Sequence, residues 1–190
     1  MKIVKTKLND CYLLENPIFS DERGFFSPSL IENEIKKLGF EKVVQVNRSF
    51  NKKGVIRAFD FQKGEFSQAK IVEVLTGKII DFSIDLRKDS DTYGMVYSQI
   101  LEAMDRKQIL IPRGFAHGFL ALEDDTLFQY YVDNVYSPEN EDGFSWDDPN
   151  LEIDWNELFK TYGIEKPIVL EKKLTTKKMS ECEISYTRNK

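Results

Sequence analysis

The chain has 190 residues, and 27 Lys and Arg stand against 32 Asp and Glu for a net charge of −5. That balance gives no overall electrostatic case for a nucleic-acid partner. Its length suits one domain with a sizeable core, and no apolar run approaches the ~18 residues of a membrane span.

The opening stretch, MKIVKTKLNDCYLLENP, has no apolar segment followed by a small-residue cleavage site, so it does not read as a secretory signal. Cys11 and Cys182 have no CxxC or other metal-type spacing and read as reduced structural thiols of a cytoplasmic protein. Histidine occurs once, as His117, which excludes any chemistry that needs two. The basic residues Lys172, Lys173, Lys177, Lys178, Arg188 and Lys190 read as a solvated end segment.

In chain order, the first predicted element is a helix over Leu30–Leu38, capped by Ser29 and stopped by Gly39. Val43–Ser49 and Gly54–Phe61 are strand-like. From Lys70 to Leu86, Ile80, Phe82, Ile84 and Leu86 alternate with Asp81, Ser83 and Asp85, a period of two that predicts a half-buried strand. Thr76-Gly77-Lys78 before it reads as the turn of a β-hairpin. Short strands follow at Gln108–Ile111 (ended by Pro112), His117–Leu122 and Thr126–Val132. A second helix is predicted over Trp155–Tyr162, stopped by Gly163. Turn signals recur every 8–12 residues or so, the pattern of an all-β sandwich or barrel with a few peripheral helices. The reading is one domain over residues 1–190 with a barrel core at about 40–150, and beyond Pro149 a covering extension.

Several blocks go further than periodicity. They are Asp21-Glu22-Arg23-Gly24-Phe25-Phe26, Gln45-Val46-Asn47-Arg48-Ser49 and Gly54-Val55-Ile56-Arg57 with Gln62 shortly after. Gln68-Ala69-Lys70, Asp85-Leu86-Arg87 and Thr92-Tyr93-Gly94 come next, then Ile111-Pro112-Arg113-Gly114-Phe115-Ala116-His117-Gly118-Phe119. Tyr130, Tyr136-Ser137-Pro138 and Trp146-Asp147-Asp148-Pro149 complete the series. Together, in this order and over roughly residues 10–175, they resemble the dTDP-4-dehydrorhamnose 3,5-epimerase family.

The resemblance implies a cupin-type jelly roll (a double-stranded β-helix) that forms a homodimer by exchanging N-terminal strands. It implies no metal and no cofactor. The implied ligand is a nucleoside-diphosphate 4-keto-6-deoxy sugar held in the barrel mouth, and the product feeds deoxysugar synthesis for surface polysaccharide.

A ketone at C4 acidifies the protons at C3 and C5. Epimerisation then needs a base, a group that stabilises the enolate oxygen, and an acid on the opposite face. By the resemblance, Arg57 and Lys70 face the diphosphate or the enolate. Arg23, Phe26, Gln45, Asn47 and Gln62 contact the substrate, some of them from the partner subunit. His117 contacts the sugar or phosphate, and Tyr130 is the general acid. Tyr131 beside it faces the other side of the strand. Arg57 also stands among apolar strand residues, where an unpaired charge would be costly, so a phosphate or a salt bridge is expected to meet it.

The chain departs from the family pattern at three places. The histidine of the segment written GVLRGLHxQ is Asp60 here. The aspartate that orients it corresponds to Lys173, in Val169-Leu170-Glu171-Lys172-Lys173, and Pro28 replaces a glutamate after RGxF. A carboxyl ordinarily titrates at about 3.9 and an imidazole at about 6.5. Asp60 beside an ammonium is therefore a weak base, whereas Lys173 made neutral by burial could serve as one. Three readings stand at this point. They are a 3- and/or 5-epimerase with a rebuilt base at Asp60 or Lys173, a related nucleotide-sugar isomerase or dehydratase, and a non-catalytic nucleotide-sugar binder.

Overall fold

A computed structural model describes residues 1–170, 177–183 and 186. Two antiparallel sheets face each other. The six-stranded sheet runs β1 (Lys2–Lys5), β2 (Tyr12–Glu15), β10 (Lys107–Ile111), β7 (Lys70–Thr76), β12 (Thr126–Val132) and β5 (Gln45–Asn51). The five-stranded sheet runs β13 (Glu141–Gly143), β6 (Ile56–Gln62), β11 (Phe115–Ala121), β8 (Lys78–Asp85) and β9 (Val96–Glu102). A small hairpin, β3 (Phe19–Asp21) with β4 (Gly24–Phe26), stands apart from both. This is the jelly-roll architecture that the turn spacing predicts.

Three apolar layers hold it together. Between the sheets lie Val72 and Val74 of β7, Ile109 of β10, Phe128 of β12, and Phe115 and Phe119 of β11. Outside the five-stranded sheet, Ile80, Phe82 and Ile84 pack with Phe59, Phe144 and Trp155. Outside the six-stranded sheet, Leu14, Ile71, Leu110 and Tyr131 pack with Ile35 and Phe40. Trp155 opens α2 (Trp155–Tyr162), which Asp154 caps by accepting from the Glu157 N–H at 2.9 Å and which ends at Gly163 with φ +59°.

Three expectations from the sequence are corrected. First, the segment 70–86 is not a hairpin. β7 pairs with β10 and β12 while β8 pairs with β9 and β11, so Gly77 carries the chain from one sheet to the other. A single residue separates the two strands, too few for a two-residue hairpin turn. A Cβ at Gly77 would also stand 2.3 Å from Thr126 Oγ1, so only glycine fits the corner (φ +78°).

Second, β8 is buried on both faces rather than half-buried. Ile80, Phe82 and Ile84 face the C-terminal covering layer, whereas Ile79 packs between the sheets. The strand's polar residues, Asp81, Ser83 and Asp85, point into the molecule, where Asp85 accepts from Arg87, Ser90 and Thr92. Third, the first helix is only α1 (Glu32–Lys36), with Ile31 at its N-cap and no side-chain cap. Ser29 is drawn elsewhere: its hydroxyl lies 3.1 Å from Glu73 Oε1 and 2.9 Å from the Tyr131 hydroxyl.

Candidate active site

A cavity of about 490 Å³ lies between the sheets, walled by β5, β7 and β12 on one side and by β6 and β11 on the other. Strand alternation decides what it contains. On β12, Tyr130 turns into the cavity while Tyr131 turns outward, where its hydroxyl donates to Glu73 Oε1 at 2.7 Å. On β5, Gln45 and Asn47 point inward, joined by a 2.6 Å hydrogen bond from Gln45 Nε2 to Asn47 Oδ1. Arg57, Asp60 and Gln62 come from β6, Lys70 from the start of β7, and His117 from β11.

Arg57 is exposed at the cavity rather than buried among its apolar neighbours, and its Nε donates to Asn51 Oδ1 at 2.8 Å. Among the described residues the partner is therefore an amide, not the salt bridge weighed from the sequence. Gln62 is buried, its Oε1 accepting from the Ser137 N–H at 3.0 Å, which ties β6 to the loop before β13.

Asp60 sits opposite Gly143 on β13 and opposite His117 on β11. A Cβ on Gly143 would come within 2.8 Å of Asp60 Oδ1 and 2.5 Å of the Phe59 carbonyl oxygen, so the absence of a side chain there makes room for the carboxylate.

His117 is nearly buried. Its Nε2 lies 2.6 Å from Oδ2 of Asp81, a carboxylate with no exposure, and its ring stacks on Phe128 at 5.9 Å between centroids. Tyr130 also neighbours Phe128, with centroids 5.7 Å apart. Burial raises the phenol of Tyr130 above its ordinary pKa. Arg57 pulls it down, Asp60 pushes it up, a hydrogen bond with Asn47 lowers it and Glu141 raises it. The net direction is upward, so Tyr130 holds its proton through neutrality and is suited to donate one.

Arg23 and Phe26 are not in this chain's cavity. Both belong to the β3–β4 hairpin, where Arg23 pairs with Asp21 at 2.5 Å and Phe26 stacks on Phe19 with 68% of its surface exposed. Lys173 lies outside the described residues. The segment leading to it is in view: Ile168 docks parallel to Val55 beside β6, and Leu170 lines the cavity.

The sequence reading missed Glu141, a second cavity carboxylate that accepts from the Tyr136 hydroxyl at 2.7 Å. Tyr136 belongs to a recognised block, but Glu141 carried no signal until β13 paired with β6. A larger hollow of about 1020 Å³ lies outside the five-stranded sheet beside β9 and α2, and it contains none of the candidate site residues. Among the described residues, no cluster of three or more His, Cys, Asp or Glu is arranged to hold a metal ion.

Fold and cavity define a jelly-roll protein of the cupin type, with a phenol, cations and carboxylates gathered between its sheets. The model of the dTDP-4-dehydrorhamnose 3,5-epimerase family matches residues 5–181, and the chain belongs to that family. The dTDP-4-dehydrorhamnose 3,5-epimerase of Methanothermobacter thermautotrophicus is 41% identical over 155 residues, 81% of this chain and 83% of that one. The Escherichia coli protein of the same name is 39% identical over 157 residues, 82% and 85% of the two chains. Among solved structures, the epimerase of Elizabethkingia anophelis superposes with a TM-score of 0.88 at 38% identity, covering 98% of this chain and 99% of its own. The Legionella pneumophila structure, in complex with dTDP-4-keto-L-rhamnose, superposes with a TM-score of 0.86 at 33% identity over 96% and 94%.

Proposed function

We propose that this chain binds a nucleoside-diphosphate 4-keto-6-deoxy sugar and inverts it at C3, C5 or both by enolisation. The observation that carries this reading is Tyr130, a phenol held protonated by burial, facing a cavity that also contains groups able to accept a proton. Arg57 and Lys70 are the cations that meet the diphosphate or the enolate oxygen through charge-assisted hydrogen bonds. Gln45, Asn47 and Gln62 supply further polar contacts. Tyr130 returns the proton to the face opposite the base. Among the described residues the candidate bases are Asp60 and His117, and Lys173 is a third. Glu141 is engaged by Tyr136 and adds to the negative field that keeps the Tyr130 proton in place.

The same reading makes the protein a homodimer. The β3–β4 hairpin exposes Phe19, Phe25 and Phe26 together with Arg23, an apolar and cationic projection with no cavity of its own. In a dimer it would bring Arg23 and Phe26 to the nucleotide in the other subunit's cavity. This reading goes with a cytoplasmic protein whose Cys11 and Cys182 stay reduced. No helix among the described residues is long and apolar enough to cross a membrane.

The test is proton exchange. In D₂O with dTDP-4-keto-6-deoxyglucose, NMR should detect deuterium entering C3 or C5. Tyr130→Phe should slow formation of the inverted product by at least about 10²-fold, with dTDP affinity within a few-fold of the parent. Binding without exchange, for every keto-sugar tried, would return the chain to the class of nucleotide-sugar binders.

A further inference from the structure

We propose that His117, oriented by the buried carboxylate of Asp81, is the base that removes the carbon-bound proton, an assignment that rests on the epimerase reading above.

Asp81 carries the argument. It lies on the inward face of β8, is fully buried, and has His117 Nε2 at 2.6 Å from its Oδ2, while its Oδ1 meets no donor. Among the described residues no Lys or Arg lies within ion-pair distance of it, and His117 is the group that can supply a positive charge. A buried carboxylate without a counter-charge is costly. The imidazolium that proton abstraction creates at His117 would face that carboxylate at 2.6 Å, the arrangement in which an aspartate orients the imidazole of a hydrolase triad.

The same contact fixes the tautomer. A carboxylate only accepts, so Nε2 carries the hydrogen and Nδ1 carries the lone pair. Nδ1 has no hydrogen-bond partner among the described residues, and His117 lines the cavity. Phe128 holds the ring plane at 16° to its own, and Tyr130 also neighbours Phe128, so one aromatic ring adjoins both proton-transfer groups at the cavity.

The step balances. Nδ1 takes the proton from C3 or C5, and the C–H electron pair moves into the ring to give the enolate, with its charge on O4. The enolate then collapses to the ketone, and the same carbon takes the Tyr130 hydroxyl proton on its opposite face. Tyrosinate and imidazolium return to their starting states by exchange with water.

Asp60 is the rival. It packs towards β13, its Oδ1 2.8 Å from where a Cβ on Gly143 would stand. Its charge raises the Tyr130 pKa, a role that supports the acid without removing a carbon-bound proton.

Because the chain has one histidine, the test reads a single imidazole. Deuterium entry from D₂O into dTDP-4-keto-6-deoxyglucose is measured for the parent, His117→Asn, Asp81→Asn and Asp60→Asn, with dTDP affinity and melting temperature for each. His117→Asn should lose at least about 10²-fold in exchange rate while dTDP affinity stays within a few-fold. Asp81 is a positioning residue, so Asp81→Asn should slow exchange and also move the hydrogen from Nε2 to Nδ1, which ¹⁵N chemical shifts of labelled His117 report. Should His117→Asn fail to fold, diethyl pyrocarbonate on the parent protein takes its place, and exchange should be lost and then restored by hydroxylamine. Exchange that persists in His117→Asn or in the carbethoxylated parent, or that is abolished in Asp60→Asn alone, overturns the assignment and leaves the epimerase reading standing. A parent protein that exchanges no proton overturns both.

Discussion

At the scale of single residues, the site is governed by what each side chain is allowed to approach. Gly143 is the clearest case. Its Cα faces the Asp60 carboxylate and the Phe59 carbonyl oxygen so closely that a methyl group would stand 2.8 Å and 2.5 Å from them. Gly143→Ala should therefore push Asp60 out of place and weaken the pairing of β13 with β6. Strain of this kind costs about 1–3 kcal/mol, readable as a lower urea midpoint. The Tyr130 pKa should fall as the Asp60 charge moves away, measured by ultraviolet titration against a Tyr130→Phe control. An unchanged midpoint would mean that the strand edge yields without cost.

Much at this scale was legible in the sequence. Asp60, Arg57, Lys70, His117 and Tyr130 were named from short blocks, and all five line the cavity; alternation puts Tyr130 and Tyr131 on opposite faces, and the family resemblance selects Tyr130 as the inward one. The Asp81–His117 contact was not legible, because the two lie 36 residues apart and meet only once β8 and β11 pair.

At the scale of elements, β8 shows both the reach and the limit of periodicity. The alternation of Ile80, Phe82 and Ile84 with Asp81, Ser83 and Asp85 does mark a strand. It does not say which face is outside, because a buried polar face and a solvated one look alike in sequence. Here the polar side points inward, and each carboxylate has its own partner. The same limit explains the missed corner at Gly77: strand, glycine, strand reads as a hairpin until pairing shows the strands in different sheets.

Asp85 yields a prediction at this scale. Burial would raise its pKa, but hydrogen bonds from Arg87, Thr92 and Ser90 outweigh burial and lower it. Arg87 is 2% exposed and also bonds Asp10 at 2.8 Å, joining the N-terminal segment to the end of β8. Arg87→Ala leaves a buried carboxylate unpaired, a change that costs about 3–5 kcal/mol and should appear in guanidinium unfolding. Because Asp85 would then favour its neutral form, part of that loss should be recovered as pH falls from 7 towards 4, where the parent instead begins to lose the stability that its lowered Asp85 pKa supplies. A variant that weakens in parallel with the parent over that range would show that the ion pair does not set the acid dependence.

At the scale of the whole molecule, burial keeps thiols and phenols neutral both between the sheets and in the layers outside them. Burial pushes the Cys11 thiol from 9.0 up to about 12 and that of Cys182 to about 11. It carries Tyr97 and Tyr131 from 10.0 to about 12. Cys11, Asp81 and Tyr97 belong to one neighbourhood, since the charges of Cys11 and Asp81 add to the rise at Tyr97. In the unfolded chain these groups release their protons near their ordinary values, and in the folded protein they release them later. Between pH 9 and pH 12 the unfolded state therefore holds fewer protons, and stability falls as pH rises through that window. Below pH 9 the contribution of Cys11 is fully present. The melting temperature should accordingly be flat from pH 7 to 8.5 or so and then decline, by roughly 2–4 °C for each kcal/mol lost in a chain of this size. Cys11→Ala removes one of the two thiol proton releases, the one that folding delays more. Its melting temperature at pH 7 reports the cavity it leaves, but the slope above pH 9 reports titration alone and should be shallower than the parent's. Equal slopes for the two proteins would show that the alkaline loss does not come from the Cys11 thiol.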